Sequence, residues 1–285
     1  MKRHVNKLSK WSIVLAFSAV FLSAIPAAGQ QEKIASVMQQ MFTAIDKLQT
    51  MSFHIQLRER LRNDTYNYTT QDVNVMLVPK FKCHLYMQGD NAGAELLFAS
   101  DEFKNKAIYS KGILKLKLDP RGKKVREDKH HTIFDLGFSY IGNILKAYFK
   151  EDASSFKYHG DITWDGVECY SMELSSDVYK IQDYTTEWGD DIVSIARKNN
   201  VSEYKILELN EHIKEDYKDL KPYQQIKITN YYARQLIFYV DKKTNLPIYQ
   251  KIVDEKGVFE EYEYHDMKVN FKFPEKEFSA DHLGE

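Results

Sequence analysis

Residues 183–229 read DYTTEWGDDIVSIARKNNVSEYKILELNEHIKEDYKDLKPYQQIKIT, and they break the pattern of the chain around them. Two short strand-like ends enclose two segments with helical spacing. Gly189 permits a tight turn out of the first strand, and Asp190 can cap the following helix by accepting backbone N–H bonds. Ile192, Ile195 and Ala196 give that helix an apolar face. Ser202 is placed to cap a second helix, whose Ile206 and Leu207 turn inward. Leu220 to Gln224 then turns the chain into a last strand carrying Ile226 and Ile228. A unit this short has a very small core and gains from attachment to a host domain.

On both sides the chain alternates with a period of two. Upstream, residues 31–50 form an amphipathic helix through Ile34, Val37, Met38, Met41, Ile45 and Leu48. Alternation then begins at Phe53, Ile55 and Leu57. It resumes after an Asn63–Asp64 turn at Val73, Val75 and Leu77, and again at Cys83, Leu85 and Met87. Asp90–Asn91 is the next turn, before strands near 95–99 and 106–110. Leu114, Leu116 and Leu118 follow, closed by the turn Asp119-Pro120-Arg121-Gly122. Phe134, Phe138, Ile141, Leu145 and Phe149 predict one helix over 132–149. A hairpin turns at Asp165–Gly166. Downstream of the quoted stretch, strands resume at 237–240, 246–253 and 259–265.

A β pattern that stops and then continues points to an insertion in a surface loop. Such an insertion is cheap, because doubling a loop's length costs only about 0.6 kcal/mol. The expected organisation is a signal peptide at 1–29, a discontinuous β domain at 30–182 plus 230–285, and the insertion at 183–229.

The signal peptide is read from Lys2, Arg3, Lys7 and Lys10 ahead of the apolar run Trp11–Ile25, then Ala27-Ala28-Gly29 before Gln30. The run is short for a spanning helix, and the alternative is an uncleaved anchor. Cleavage would remove four of the 40 Lys and Arg and none of the 41 Asp and Glu, leaving a net charge of −5. That balance does not suggest nucleic-acid binding. No other run could span a membrane, so a periplasmic or secreted protein is expected. Export permits a disulfide between Cys83 and Cys169, and the alternative is two buried thiols.

Two resemblances add to this reading. Tyr184, Gly189-Asp190, Ile192, Ile195-Ala196, Val201, Ile206-Leu207, Leu209-Asn210, Leu220, Pro222, Gln224, Ile226 and Ile228 resemble the LysM pattern. That resemblance implies a β-α-α-β module binding peptidoglycan or another N-acetylglucosamine-containing glycan. Its groove would be lined by Gly189, Asp190, Asp191, Ile192, Asn210, Glu211, His212 and Ile213, acting mostly through backbone amides and carbonyls. Asp191 stands where Thr or Ser is usual, Glu211 where Pro is common, and Tyr223 where Gly is common. The two carboxylates would disfavour acidic wall polymers or select another ligand. The other possibility is a structural insertion without a ligand.

The remainder resembles a bacterial family of unknown function within the LolA/LolB-like lipoprotein-carrier superfamily. The likeness rests on Leu114–Pro120, Ile133–Leu145, Asp165-Gly166-Val167-Glu168-Cys169, Phe238–Asp241, Asn245-Leu246-Pro247, and Tyr262–Asn270 with Phe278. It implies an α+β fold, a curved antiparallel half-barrel wrapped around helices, carrying the LysM module as an insertion. The concave face would shelter a lipid or lipoprotein acyl chain, each methylene contributing about 0.8 kcal/mol. Candidate lining residues are Leu57, Val75, Leu85, Phe98, Phe138 and Leu145, which could instead simply pack against one another.

No phosphate-cradling Gly loop, zinc-protease motif or Cys-x-x-Cys occurs. Gly137, Ser139 and Gly142 have the wrong spacing for a nucleophile elbow. His130–His131 reads as a solvated loop and not a metal site, and Glu260, Glu261 and Glu263 as a wet strand face. No catalytic residue, metal or cofactor is expected. Three functions stay open: a non-catalytic envelope protein binding glycan, a carrier or sensor of lipoproteins or other apolar ligands, and an accessory to a cell-wall hydrolase.

Overall fold

A computed structural model describes residues 27–62, 68–101, 104–126, 129–213 and 220–283. The expected signal segment lies outside these except for Ala27–Gly29, and the Asn63–Asp64 turn lies outside them entirely. The chain opens with helix α1 (Ala27–Asp46) and six strands: β1 (Met51–Arg60), β2 (Tyr68–Val78), β3 (Lys82–Met87), β4 (Ala94–Ala99), β5 (Ala107–Lys111) and β6 (Leu114–Leu118). Helices α2 (Lys123–Arg126) and α3 (Ser139–Glu151) precede β7 (Phe156–Trp164) and β8 (Val167–Ser175). Then come β9 (Ile181–Thr185), α4 (Ile192–Asn199), α5 (Glu203–Leu209) and β10 (Gln225–Thr229). Strands β11 (Gln235–Asp241), β12 (Pro247–Asp254) and β13 (Gly257–Val269) complete the chain's sheet.

Eleven strands form one antiparallel sheet, ordered β6-β5-β4-β3-β2-β1-β13-β12-β11-β8-β7. Its edges β6 and β7 do not pair with each other, so the curved sheet stays open as a half-barrel. Strand β13 pairs back onto β1 in the register Ile55↔Tyr264 and Leu57↔Tyr262, joining the last three strands to the first six. Helices α1 and α3 share one buried core with this sheet. Ile34, Val37, Met38, Met41 and Ile45 of α1 are all buried, each contributing about 1.5–3 kcal/mol. A small second core, around Leu97, Ile108, Phe278 and Leu283, lies apart from it.

Strands β9 and β10 form their own two-stranded sheet, in the register Tyr184↔Ile226. The strands on either side of this unit, β8 and β11, pair with each other, with Ser175 opposite Gln235. The Ser176 N–H donates to the Arg234 carbonyl at 3.0 Å, so the chain leaves and re-enters the half-barrel at one point. The unit has a separate core of Ile192, Ile195, Ala196, Val201, Ile206, Leu207, Ile213, Ile226 and Ile228.

Two expectations need correction, and one open alternative is decided. The single helix over 132–149 is split into a short 3-10 turn, Ile133–Asp135, and α3. Thr132 and Asp135 form a reciprocal capping box around the turn. Gly137 then takes φ +79°, which most residues avoid, and a Cβ there would meet Leu77 and Met51 at about 3 Å. Gly142 lets α3 approach Ile45 of α1, so both glycines of the rejected elbow motif serve packing. Leu114 and Leu116, which the alternation put on a buried face, are 49% and 39% exposed. They lie on the edge strand β6, where an apolar period has no second layer to meet. Cys83 and Cys169 are free buried thiols, and five strands lie between β3 and β8 in the sheet.

Candidate functional site

The inserted unit presents two loops at one end of its small sheet. The first runs from Thr186 to Asp191. Gly189 turns it with φ +87° and is exposed. Asp190 does not cap α4; its carboxylate accepts from the Glu187 N–H at 2.7 Å and from the Tyr184 hydroxyl at 3.2 Å. The cap is Asp191, which accepts from the Ser194 N–H at 2.7 Å while the Ser194 hydroxyl accepts from the Asp191 N–H at 2.9 Å. Helix α4 starts at Ile192, so the residue before it is the one with a free N-terminal turn to satisfy. Ser202 caps α5 by accepting from the Lys205 N–H.

The second loop follows α5. Asn210 is buried, and its side chain is fully used inside the unit. Its amide donates to the Ile206 and Lys227 carbonyls, each at 2.7 Å, and its oxygen accepts from the Lys227 N–H at 2.8 Å. Ile192 and Ile213 belong to the unit's core, whereas Glu211 and His212 are exposed. The Arg62 guanidinium of the half-barrel donates to the backbone carbonyls of Asn210 at 3.2 Å and Ile213 at 2.8 Å. The expected groove is therefore only partly available: one wall is tied to the host, and Gly189, Asp191, Glu211 and His212 remain accessible. Trp188, 85% exposed, and Tyr223, 78% exposed, stand beside it. The Tyr223 N–H donates to the Thr186 carbonyl, so the two aromatics sit on paired loops.

Helix α5 has no free face. Glu203 through Glu208 are all buried, Ile206 and Leu207 in the unit's own core and Tyr204, Lys205 and Glu208 against the half-barrel. Arg60 donates to Glu208 at 3.1 Å and to Asp254 at 2.9 Å, and Lys205 donates to Glu208 at 2.8 Å and Asp254 at 2.7 Å. Burial would raise the carboxyl pKa values of Asp254 and Glu208, but the two cations hold both below the usual range. His130 stacks on Tyr204 of α5, centroids 3.9 Å apart.

The half-barrel contains a cavity of about 1020 Å³. Of the six candidate lining residues, Leu57 and Leu85 line it. Phe98 lines a different cleft, and Val75, Phe138 and Leu145 are packed in the core. One part of the cavity wall is polar. Glu59 and Glu260 face each other across β1 and β13, and both are buried. His130 holds them together: its N–H donates to Glu59 at 3.0 Å and its ring meets Glu260 at 2.8 Å. Tyr262 donates to Glu59 at 2.8 Å and Tyr232 to Glu260 at 2.9 Å. Burial would lower the His131 pKa, yet the Glu260 charge, with Glu59 and Asp135, raises it to about 9. Glu260 in turn is held well below the carboxylate range, because the two histidines outweigh its burial.

These positions overturn the reading of His130 as solvated loop and of Glu260 as wet strand face. A signal was there: Glu260 is in phase with Tyr262 and Tyr264, and Glu59 with Phe53, Ile55 and Leu57. The period of two placed both carboxylates on the buried face. No cluster of three metal-binding side chains occurs among the described residues.

An open antiparallel half-barrel holding a small β-α-α-β unit between two of its strands defines the class of fold. The family model of the LysM domain matches residues 184–229, which are that unit. No curated protein matches the chain. Among solved structures, LprF from Mycobacterium bovis aligns with 86% of this chain and 97% of its own at 9% identity, TM-score 0.44. Lipoprotein LppX from Mycobacterium tuberculosis aligns over 85% and 99% at 9% identity, TM-score 0.40. A LolA superfamily protein from Nitrosomonas europaea aligns over 88% and 99% at 10% identity, TM-score 0.34. These scores are low, and the fold class rests on the sheet order itself. No helix among the described residues is long and apolar enough to cross a membrane.

Proposed function

We propose that this is a non-catalytic, exported protein of the bacterial cell envelope that binds N-acetylglucosamine-containing glycan, such as peptidoglycan, through the loops at 187–191 and 211–212. The observation that carries this reading is the LysM match over residues 184–229, on a unit whose first loop is open to solvent. Trp188 offers an aromatic face to a sugar ring, and the Gly189 backbone is free to approach an acetamido group. A single module binds weakly, so retention at the wall draws on avidity or a partner. The test is co-sedimentation with purified peptidoglycan and titration with chitotetraose, comparing wild type with Trp188→Ala and Gly189→Arg. Trp188 is exposed, so the fold should survive its substitution, whereas Gly189→Arg also strains the φ +87° turn and is compared only when its circular dichroism and Tm match wild type. Equal retention of all three proteins would reject the reading.

A second reading has its own support. The cavity of about 1020 Å³ has apolar walls at Leu57, Leu85 and Ile252 and a polar region at Glu260, Tyr232 and His131. That combination suits an amphiphile carried by its chain, such as a lipid or lipoprotein acyl group, with the module as a docking element. Native mass spectrometry of protein purified without detergent tests it: a bound lipid supports carriage, and a ligand-free mass at every preparation rejects it.

A further inference from the structure

A second cleft, of about 670 Å³, opens where the module meets the half-barrel. The half-barrel supplies Phe98, Arg121, Phe134 and Tyr140; α4 and the residues after it supply Arg197 and Asn200. Small-molecule sites fall at about 300–1,000 Å³ and concentrate at domain junctions. This cleft exists only because the module is docked.

Its electrostatics are one-sided. Lys80, Arg121 and Arg197 line it, and Asp135 is the one carboxylate among its described lining residues. Asp135 is already committed, ion-paired with Arg197 and accepting from the Thr132 hydroxyl at 2.9 Å. Arg121 lies over the Phe134 ring, 4.4 Å from its centroid, and neither it nor Lys80 has a carboxylate partner among the described residues. Among the described residues the cleft therefore presents two cations without a carboxylate partner. The loop groove is the opposite, flanked by Asp190, Asp191 and Glu211.

Its chemistry suits a sugar. Phe98 and Phe134 meet edge to face at 5.3 Å, Arg121 lies over Phe134 and Arg197 lies over Tyr140 at 4.2 Å, so the wall joins cations to aromatic edges that pyranose C–H groups can pack against. The side-chain amides of Asn105, Asn143 and Asn200 line the same cleft, and none makes a hydrogen bond within the described protein. They are open to ring hydroxyls or an acetamido group. An acyl chain would make no use of these three amides.

We propose that this junction cleft is a second saccharide site, separate from the loop groove, and that it takes a carboxylate-bearing amino sugar through Arg121 and Lys80. The proposal does not depend on the loop groove binding anything. It gives the molecule one surface for neutral glycan and one for acidic glycan.

The test uses the full mature chain and calorimetric titration with four probes: an N-acetylglucosaminyl–N-acetylmuramic acid disaccharide, its methyl ester, chitobiose, and phosphatidylglycerol vesicles. The free acid is expected to bind about tenfold more tightly than the ester. Arg121→Gln and Lys80→Gln, both at exposed positions, should abolish that preference, and Trp188→Ala should leave it intact. The proposal is overturned if acid and ester bind alike, if neither binds, or if Trp188→Ala alone removes the acid's binding. Binding of the vesicles but not the disaccharide, lost in Arg121→Gln, would make this a lipid surface and would also overturn it. Loss of chitobiose binding in Trp188→Ala reports separately on the loop groove.

Discussion

Arg60 on β1 and Glu208 on α5 meet at 3.1 Å with both side chains fully removed from solvent. This contact, with Asp254 and Lys205 around it, joins the inserted unit to the half-barrel. Two cations and two carboxylates are interleaved, so each charge has opposite neighbours. The module is therefore not a bead on a loop, because its second helix is part of the host's interior.

Arg60→Met should cost about 3–5 kcal/mol, since it leaves Asp254 buried with Lys205 alone and Glu208 with Lys205 and the partly exposed Lys256 to balance it. The comparison is Arg58→Met, whose pair with Glu261 is 43% exposed on the arginine side and should matter by about 1 kcal/mol or less. Urea unfolding measures both. Equal midpoints for the two variants would show that the buried cluster holds nothing together.

Stability should fall at both ends of the pH range. Asp254 and Glu208 have folded pKa values below their unfolded ones, so their contribution is present above about pH 4 and is lost as pH falls through the folded values. His131 is the reverse. Raised from 6.5 to about 9, it stabilises fully below about pH 6.5 and loses that contribution as pH rises to about 9. Unfolding free energies at fixed ionic strength should show this alkaline slope, and His131→Gln should flatten it. A slope unchanged in the variant would assign it elsewhere.

Tyr223 sits at φ +62° with its side chain in solvent, where glycine would be unstrained. A non-glycine residue in the left-handed region costs about 1–2 kcal/mol. Tyr223→Gly should therefore stabilise the protein by about 1 kcal/mol, read as a rise in Tm. A lower Tm would mean that the ring makes a contact worth more than the strain.

Neither thiol should react in the native protein. Burial pushes Cys83 up to about 12, and burial with the Asp241 charge pushes Cys169 up to about 11. The thiolate is the reactive form, so a chromogenic thiol reagent should label no cysteine under native conditions and two in guanidinium. Reductant should leave Tm unchanged. A native-state disulfide would appear as zero labelling in guanidinium.

Much of this architecture is written locally. The period-two stretches from Phe53 to Leu118 and from Ile237 to His265 name the strands, and the helical spacing from Ile192 to Leu207 names the insertion. Such patterns need only neighbours two to four residues away. The helix over 132–149 misled because Gly137 breaks an apolar stripe that continues in register on its far side. The phase of Glu59 and Glu260 was also legible, but charge suggested water more strongly than phase suggested burial.

What the sequence by itself determined is most of the strands, the interruption after β8, and the LysM-like module within it. Only the tertiary structure decided what the module faces. Arg60 lies 148 residues from Glu208 and 194 from Asp254, so no spacing rule could pair them. Their meeting depends on β13 closing onto β1 and on β8 and β11 bringing the insertion back over the sheet. The same closure set Arg62 against the groove and opened the basic cleft beside α4. Local hydrophobic period fixes which residues turn inward, while sheet order fixes which buried charges find each other.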